Sequence, residues 1–303
     1  MPNHLLDKLP TRITTWSTLA RVHDIFHRVE GDVEQSEEWV FRGHVESDWS
    51  LITTLDRVAE EFGIPGDEIP DLEVRLILEF MRRYHLYGAE PPPSKGDTVD
   101  WLALMRHHGA PTRLLDFTFS FLVAACFALE SKSKGTAVVW AINKTWLTNE
   151  VKKSFQKLGK GVASQFRRYL EHRDSEPFRD IFMKRRPVLV SAISAFRLNQ
   201  RVTVQQGLFL CPGDVSKTFE DNLHAMRNWE RNIKRIEIPS GARPSLLTAM
   251  LRSNLTTATL FPGLDGFATS LWTRVPSLRH LQSMEIRGAR SRLNLGIDAL
   301  GDH

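Results

Sequence analysis

The chain has 303 residues, of which 42% are hydrophobic and 25% are charged. These fractions are typical of a globular protein and exclude a disordered chain, a collagen and a coiled-coil rod. The 40 basic and 36 acidic residues leave a net charge of only +4, so the position of the charges matters more than their sum. The two cysteines, Cys126 and Cys211, lie in separate apolar stretches, which excludes a disulfide framework and a cysteine-rich zinc site.

The longest uninterrupted apolar run is Phe121 to Leu129, nine residues, whereas a membrane-spanning helix needs about 20. The first residues also lack the apolar core of a signal peptide. We therefore expect a cytoplasmic protein without a membrane segment. A chain of this length fits about two domains of usual size, or one large domain with insertions.

The first part of the chain predicts helices with one strand between them. Apolar residues recur every three or four positions at 5–33, 50–62, 71–86 and 101–108, and Ser17 is the expected N-cap of the first of these helices. A short strand is predicted at 38–43, where the sequence EWVFRG stops at a glycine. Residues 111–117 are expected to run extended into an apolar helix at 121–129.

Four further strands are predicted at 136–143, 187–193, 202–210 and 234–238, where β-branched and apolar residues cluster. A helix is predicted at 242–254, followed by a turn at 261–266. Between the strands at 136–143 and 187–193, residues 144–187 are expected to form a helical insertion. Within it, residues 150–187 carry eleven basic and five acidic side chains, a local charge of +6.

This basic segment is a candidate nucleic-acid surface, because Phe155, Phe166 and Tyr169 alternate with the cations and could stack on bases. A solvated helical face explains the same pattern without a ligand. The candidate contacts are Lys152, Lys153, Lys157, Lys160, Arg167, Arg168, Arg185 and Arg186.

Three short motifs combine polar side chains with core elements. In the first, WVFRGH, Arg42 ends a strand and Gly43 leaves room beside it, which suits the capture of a phosphate or carboxylate. A structural salt bridge would place an arginine there equally well.

The second motif, RHHGAPTRLLDFTFS at 106–120, concentrates polar residues next to an apolar helix. They fit a ligand-binding cleft, but also a structural network in which Thr112 caps a turn, Arg113 pairs with Asp116 and His108 satisfies a helix-end carbonyl. A metal site is excluded, because the adjacent His107 and His108 point apart on a helix or strand.

In the third motif, Gln205 and Gln206 precede Gly207 in a predicted strand, so alternation would turn only one of them inward. Neither amide can act as a general acid or base. The phosphate-binding, dinucleotide-binding, serine-hydrolase and zinc-protease motifs GxxxxGK[ST], GxGxxG, GxSxG and HExxH are absent from the sequence.

In this order, WVFRGHVESDWSLITTLDR, HHGAPTRLLDFTFSFLVAACFALE, RVTVQQGLFL and LFPGLDG resemble the FRG domain family, named for its Phe-Arg-Gly motif. The resemblance runs from about Ser17 to about Leu271. The middle block is its most specific part. It implies a single FRG-type domain over 1–303, with its core at about 17–271 and a tail at 272–303.

The same motifs have a weaker similarity to ADP-ribosyltransferases, in which strands carry an aromatic-Arg-Gly, a Ser-Thr-Ser and a catalytic Glu. This similarity implies that NAD is a substrate. Arg42, beside Gly43, would hold the pyrophosphate of NAD, and Thr118 or Ser120 would position the nicotinamide ribose. Thr112, Arg113 and Gln205 would be further contacts to NAD, and Gln206 would stand near the catalytic position.

The sequence departs from that pattern because no carboxylate occupies the third motif, and Gln206 supplies a hydrogen bond without charge. Asp116 could enter from the adjacent strand, Glu220 or Asp214 could lie closer than the sequence suggests, or the activity could be lost. His108 could then activate an acceptor as a general base.

The expected fold is α+β, with a bent, mainly antiparallel split sheet flanked by helices, similar to ADP-ribosyltransferases and carrying the basic helical insertion. The expected function is NAD-dependent ADP-ribosyl transfer to a protein or nucleic-acid acceptor, and a bacterial toxin or an antiviral-defence effector would fit. The alternative is a binding module for a nucleotide or nucleic acid without chemistry. The sequence leaves the oligomeric state open.

Overall fold

An antiparallel sheet of six strands lies at the centre of the computed structural model, which describes residues 6–28, 37–88, 90–130, 135–172, 175–194 and 200–281. Within these ranges the strands stand in the order β4-β5-β2-β1-β3-β6, and every pairing is antiparallel. The strands are β1 (Trp39–His44), β2 (Leu115–Thr118), β3 (Ala137–Asn143), β4 (Val190–Ile193), β5 (Gly207–Pro212) and β6 (Ile233–Ile238).

Helices fill most of the connections between the strands. They are α1 (Trp16–His27), α2 (Thr54–Glu61), α3 (Ile69–Tyr87), α4 (Thr98–His107), α5 (Phe121–Leu129), α6 (Lys144–Lys157), α7 (Lys160–His172), α8 (Ser175–Phe178), α9 (Gln200–Val204), α10 (Phe219–His224), α11 (Trp229–Asn232), α12 (Arg243–Arg252), α13 (Thr257–Leu260) and α14 (Leu264–Leu281). Short 3-10 turns occupy Leu6–Lys8 and Ser240–Ala242, and a π-helix follows α8 at Arg179–Arg185.

The sheet separates two hydrophobic cores, because successive strand residues point to opposite faces. On β1, Trp39 and Phe41 pack with α1, α5 and α12, whereas Val40 between them packs with α4 and α6 on the other face. The apolar residues of β1 are therefore buried on both sides, which fits its position inside the sheet.

The sheet is joined weakly at its middle. Strands β1 and β2 pair at one position, Phe41 opposite Thr118, while β1 pairs with β3 along its whole length and β2 pairs with β5 in the same way. Two halves, β4-β5-β2 and β1-β3-β6, thus meet at a single residue pair. The backbone of β1 beyond Phe41 lies next to a gap in the ladder.

The structure confirms the antiparallel sheet flanked by helices and the strands predicted near 38, 115, 137, 188 and 234. The strand predicted at 202–210 is wrong in its first half: residues 200–204 are helical, and the strand begins at Gly207. Gln206 between them has a φ of 49°, in the left-handed region, so an extended chain cannot continue through it.

The first helix is shorter than predicted, and its cap lies two residues before the expected one. Its N-cap is Thr15, whose hydroxyl accepts a hydrogen bond from the backbone N–H of Thr18, rather than Ser17. The outer parts of the predicted helix, 5 and 29–33, lie outside the described residues. Helix α14 continues through the expected start of the tail at 272, while residues 282–303 lie outside the described ranges.

The basic segment 144–187 is helical as expected, but it belongs to the core and is not appended to it. Phe155, Phe166, Phe178 and Phe182 are buried, and the rings of Phe155 and Phe166 lie 4.5 Å apart. The prediction that Phe155 and Phe166 stack on bases is therefore wrong, because core packing uses both rings. The side chain of Tyr169 lies outside the described part of the chain.

Among the helices that the structure describes, none combines the length and the apolar character that crossing a bilayer requires.

Candidate functional site

The three polar motifs of the sequence converge at the gap between the two halves of the sheet. Arg42 lies on β1, Asp116 on β2, and Gln205 in the turn that leads into β5. Strands β1, β2 and β5 are neighbours in the sheet, so the topology brings segments more than 160 residues apart in the chain to one place.

The guanidinium of Arg42 fills the gap in the ladder. Its Nη1 donates to the backbone carbonyl of Asp116 at 2.8 Å, and its Nε donates to Nε2 of His44 at 2.9 Å. The side chain is only 15% exposed. Its Nη2 donates to no group among the described residues, so one end of a largely buried cation is free for a ligand.

The carboxylate of Asp116 is shared by two arginines. Nε and Nη2 of Arg106, on α4, both donate to Oδ2 of Asp116, at 2.7 and 2.5 Å, and Nη1 of Arg42 lies 4.0 Å from the same oxygen. Nη1 of Arg106 also donates to the hydroxyl of Thr54 on α2 at 3.4 Å. One carboxylate therefore orients two cations from different elements and neutralises only one of them.

Two more arginines surround this pair. Arg57 is exposed on α2, and Arg201 on α9 is half-buried with its guanidinium 4.4 Å from the ring centre of Phe261. Neither guanidinium has a hydrogen bond or an ion pair with any residue that the structure describes. Together with Arg42 and Arg106 they form what we call the arginine cluster; among the described residues, Asp116 is the acidic group that acts on Arg42 and Arg201.

The crowding of positive charge lowers the pKa values of two members of the cluster. Burial, and then the charges of Arg106 and Arg57, lower the pKa of Arg42 to about 10, against the opposing effect of Asp116. Burial and Arg106 likewise lower the pKa of Arg201. Cations held in a partly buried cluster with too little negative charge favour the binding of an anion.

A cavity of about 50 Å³ lies against Arg106 and Arg201, two members of the cluster. Its lining consists of Ala103, Arg106, His107, Asp116, Arg201, Val202, Gln205 and Phe209. Burial, His108 and Arg201 lower the pKa of His107, so its imidazole is neutral near pH 7. His107 therefore lines the cavity beside the arginines, whereas His108, the general base that the sequence offered, does not.

His108 instead lines a separate apolar cavity of about 480 Å³ between α3 and α4, together with Phe80, Tyr84 and Met105. The difference follows from helix geometry. His107 and His108 are consecutive at the end of α4, so their side chains point about 100° apart around the helix axis. His108, which the sequence offered as a general base, therefore lies away from the arginine cluster, and His107 lies beside it.

The hydroxyl groups predicted to contact NAD are mainly structural. The Thr118 hydroxyl is buried, donates to the carbonyl of Gln205 at 2.7 Å and accepts from the N–H of Ser120. Ser120 caps α5 by accepting from the N–H of Val123. The hydroxyl proton of Ser120 has no acceptor among the described residues, which leaves it able to donate to a ligand.

The two glutamines separate as alternation predicted, although they stand in a turn. Gln205 is buried and its amide donates to the carbonyl of Leu260, so it anchors α9 to α13. Gln206 is exposed, and its backbone carbonyl accepts from the N–H of Phe119. Gln205, the predicted NAD contact, lines the cavity but donates its amide to Leu260, whereas Gln206, predicted near the catalytic position, does not line the cavity.

Arg113 lies outside the site. Its guanidinium is 1% exposed and forms a two-pronged ion pair with Glu73 of α3, not with Asp116, and its Nη1 donates to the carbonyl of Phe182. Thr112 is also fully buried, so the prediction that both contact NAD is wrong: they lie in the interior. The local pairing of Arg113 with Asp116 fails because Arg106 already holds that carboxylate.

Gly43 has a packing role and leaves no room for a ligand. A Cβ built there would lie 2.0 Å from the carbonyl oxygen of Ala124 and 2.7 Å from the backbone nitrogen of Ala128. Helix α5 therefore occupies the space that the sequence assigned to an anion.

The other carboxylates considered for catalysis make local contacts. Glu220 accepts from the N–H of Leu51 at 2.7 Å, and Asp214 accepts from the hydroxyl of Ser216 at 2.6 Å. Neither lines the cavity, whereas Asp116 does. Asp116 is thus the carboxylate that the described structure places at the cluster.

The lysines and arginines of the basic segment that were predicted to contact nucleic acid are exposed, with Lys153 paired to Glu150 at 2.6 Å.

Four residues of the site were not predicted from the sequence: Arg57, Arg106, Arg201 and His44. Arg57 is the last residue of SLITTLDR and Arg106 is the first residue of RHHGAPTR. Their place in these motifs could have marked both arginines as candidates for the site. Arg201 had no such signal, because its stretch was assigned to a strand.

Comparison with known proteins identifies one family. The model of the FRG domain matches residues 37–137, from just before β1 to the first residue of β3, which confirms the resemblance over that stretch. Neither the curated proteins nor the solved structures include a significant match to the chain. The matched stretch holds three members of the arginine cluster, Arg42, Arg57 and Arg106, and also Asp116.

Proposed function

We propose that the FRG domain of this protein binds the phosphates of a nucleotide, that this nucleotide is NAD, and that the protein is an NAD-dependent ADP-ribosyltransferase-like enzyme. One observation carries the proposal: Arg42, Arg106 and Arg201 lie around the carboxylate of Asp116 at the gap in the sheet, and Nη2 of Arg42 has no partner among the described residues. Arginine binds phosphate oxygens with short charge-assisted hydrogen bonds.

The pyrophosphate of NAD fits this charge. One phosphate would lie at the cavity beside Arg106 and Arg201, and the exposed Arg57, close to Arg42, would extend the positive potential to a second. The rest of the dinucleotide would lie over the surface beside α5, where the free hydroxyl proton of Ser120 could meet a ribose oxygen. These groups are the anion clamp and the hydroxyl partner that a dinucleotide requires.

In the proposed reaction the bond between C1′ of the ribose and the nicotinamide nitrogen breaks, and nicotinamide leaves with the bonding electrons. A nucleophilic atom of the acceptor forms the new bond to C1′ and gives up its proton. Asp116 is the carboxylate available to stabilise the positive charge that develops at the ribose. The imidazole of His107, whose pKa is lowered by burial, would take the proton.

The acceptor is a protein or a nucleic acid. For a nucleic acid, the exposed cations of the basic segment would supply phosphate contacts, and binding would then weaken as salt is added. Because Phe155 and Phe166 are buried, such contacts would be electrostatic and independent of base stacking.

A second candidate is a binding module that holds a nucleotide or nucleic acid without chemistry. Two features favour it: Gln206 is exposed with its side chain outside the cavity, and Asp116 is already paired with Arg106. A carboxylate in such a pair has less negative charge to offer a reaction centre.

The test compares NAD binding with nicotinamide release in the full chain. We expect Arg57→Ala, which removes an exposed side chain without packing, to weaken NAD binding, and Arg42→Lys, which keeps the charge but loses the guanidinium geometry, to abolish nicotinamide release. Arg252→Ala, on the exposed end of α12, is the matched control and should behave as wild type. NAD binding without release or transfer would establish the binding module, and no binding of NAD or of pyrophosphate would refute both candidates.

A further inference from the structure

His44 makes an unusual contact for a histidine next to two arginines. It is 6% exposed, and its Nε2 accepts a hydrogen bond from Nε of Arg42 at 2.9 Å. Its Nδ1 lies 3.3 Å from the backbone carbonyl of Trp49. A ring nitrogen that accepts from a guanidinium must be unprotonated, so the proton of the neutral ring is on Nδ1, which donates to Trp49.

These two hydrogen bonds determine how Arg42 is turned. Nε is used by His44 and Nη1 by the carbonyl of Asp116, on two different sides of the planar guanidinium. Nη2 is the remaining nitrogen, and it has no partner among the described residues. Because Nε and Nη1 are both held, the plane of the Arg42 guanidinium is fixed. The direction in which Nη2 points is therefore fixed as well.

We infer that His44 is a positioning residue for anion binding: it holds the guanidinium of Arg42 so that Nη2 is presented to a phosphate oxygen of the ligand. This role rests on the proposed function of the cluster as a phosphate site. His44 itself does not touch the ligand. Its contribution is to remove the freedom of a long side chain that a bound anion would otherwise have to order.

The surrounding charges explain why a neutral acceptor occupies this place. The groups that face His44 are Arg42 on its own strand and Arg57 on α2, both positive. A carboxylate here would orient Arg42 equally well, but it would cancel the charge that attracts the anion. A neutral imidazole supplies the hydrogen bond and leaves the charge of Arg42 intact.

Two isosteric substitutions separate the two hydrogen bonds of the ring. In His44→Gln the side-chain oxygen can occupy the place of Nε2 and accept from Arg42, while the bond to Trp49 is lost. In His44→Asn the amide can occupy the place of Nδ1 and donate to Trp49, while the acceptor for Arg42 is lost. Each variant removes one hydrogen bond from the same buried position, so their stabilities should be similar.

Two measurements on the full chain test the inference, with inorganic pyrophosphate as the probe. The first is calorimetric affinity for pyrophosphate, which we expect to fall about tenfold in His44→Asn and to stay within about threefold of wild type in His44→Gln. The second is the nitrogen-15 NMR signal of the Arg42 Nε–H without ligand. It should be protected from exchange in wild type and His44→Gln, and lost in His44→Asn.

Equal pyrophosphate affinity in wild type and both variants would overturn the role of His44, even if pyrophosphate binds. Equal losses in both variants would also overturn it, because a structural effect alone would then explain the result. If wild type binds no pyrophosphate, the phosphate site itself is refuted, and the Nε–H signal then shows separately whether His44 orients Arg42.

Discussion

The buried ion pair between Arg113 and Glu73 gives the sharpest test of which arginines belong to the site. Their side chains are 1% and 2% exposed, so water does not screen the interaction. Removing one partner of such a pair leaves an uncompensated buried charge, which costs about 3–5 kcal/mol of unfolding free energy. Arg113→Met also leaves the carbonyl of Phe182 without its donor, so we expect a loss near 5 kcal/mol.

A double-mutant cycle isolates the pair. Glu73→Leu alone should cost about 3 kcal/mol or more, because Arg113 then remains as a buried cation. The double variant Arg113→Met/Glu73→Leu contains neither charge, so it should be destabilised by at least about 2 kcal/mol less than the sum of the single variants.

The assay is urea unfolding at 25 °C followed by tryptophan fluorescence, with pyrophosphate affinity measured on the folded variants. We expect the double variant, where it is folded, to bind pyrophosphate as wild type does. If Arg113→Met keeps the unfolding free energy within about 0.5 kcal/mol of wild type but loses binding, Arg113 contacts the ligand and the assignment to the interior is refuted.

Two other predictions address the strand that carries Arg42. Gly43→Ala should lower the unfolding free energy by about 3 kcal/mol, because the new Cβ would collide with the backbone of α5, which cannot move aside as a side chain can. The control Gly161→Ala, in open space on α7, should not lower the unfolding free energy. Equal effects of the two substitutions would contradict the packing role of Gly43. For His44, burial and Arg42 lower the pKa from 6.5 to about 4 in the folded chain, so the unfolded state takes up the proton first as pH falls. Stability should therefore drop by about 3 kcal/mol between pH 6.5 and pH 4 relative to His44→Gln, and parallel pH profiles of the two proteins would refute this.

The elements of the fold could largely be predicted from local patterns. Strand β3 and helix α5 carry uniform β-branched and apolar runs, and local propensity agrees there with the final structure. At Val202–Val204 the same kinds of residue form the end of a helix. The strand begins only at Gly207, after Gln206, whose φ lies in the left-handed region. Periodicity alone cannot distinguish such a short apolar run in a strand from one in a helix.

The site could be predicted only in part, because its contacts join distant residues. Arg42 and Asp116 stood out in motifs, and both lie at the cluster. The true partner of Arg113, however, is 40 residues away on a helix whose sequence shows only an amphipathic pattern. Likewise, the room that Gly43 leaves beside Arg42 was assigned to an anion, and the sequence could not show that the backbone of a helix fills it.

The order of the strands has a consequence for how the molecule can be divided. The chain crosses the gap in the sheet repeatedly, since β1 and β3 lie in one half and β2 and β4 in the other. The segment 37–137 that matches the FRG domain contains only β1 and β2, which pair with each other at one residue. Their main partners, β3 and β5, are encoded downstream. Expressed alone, that segment would have two unpaired strand edges, so the family signature marks a part of the sequence and not an autonomous folding unit.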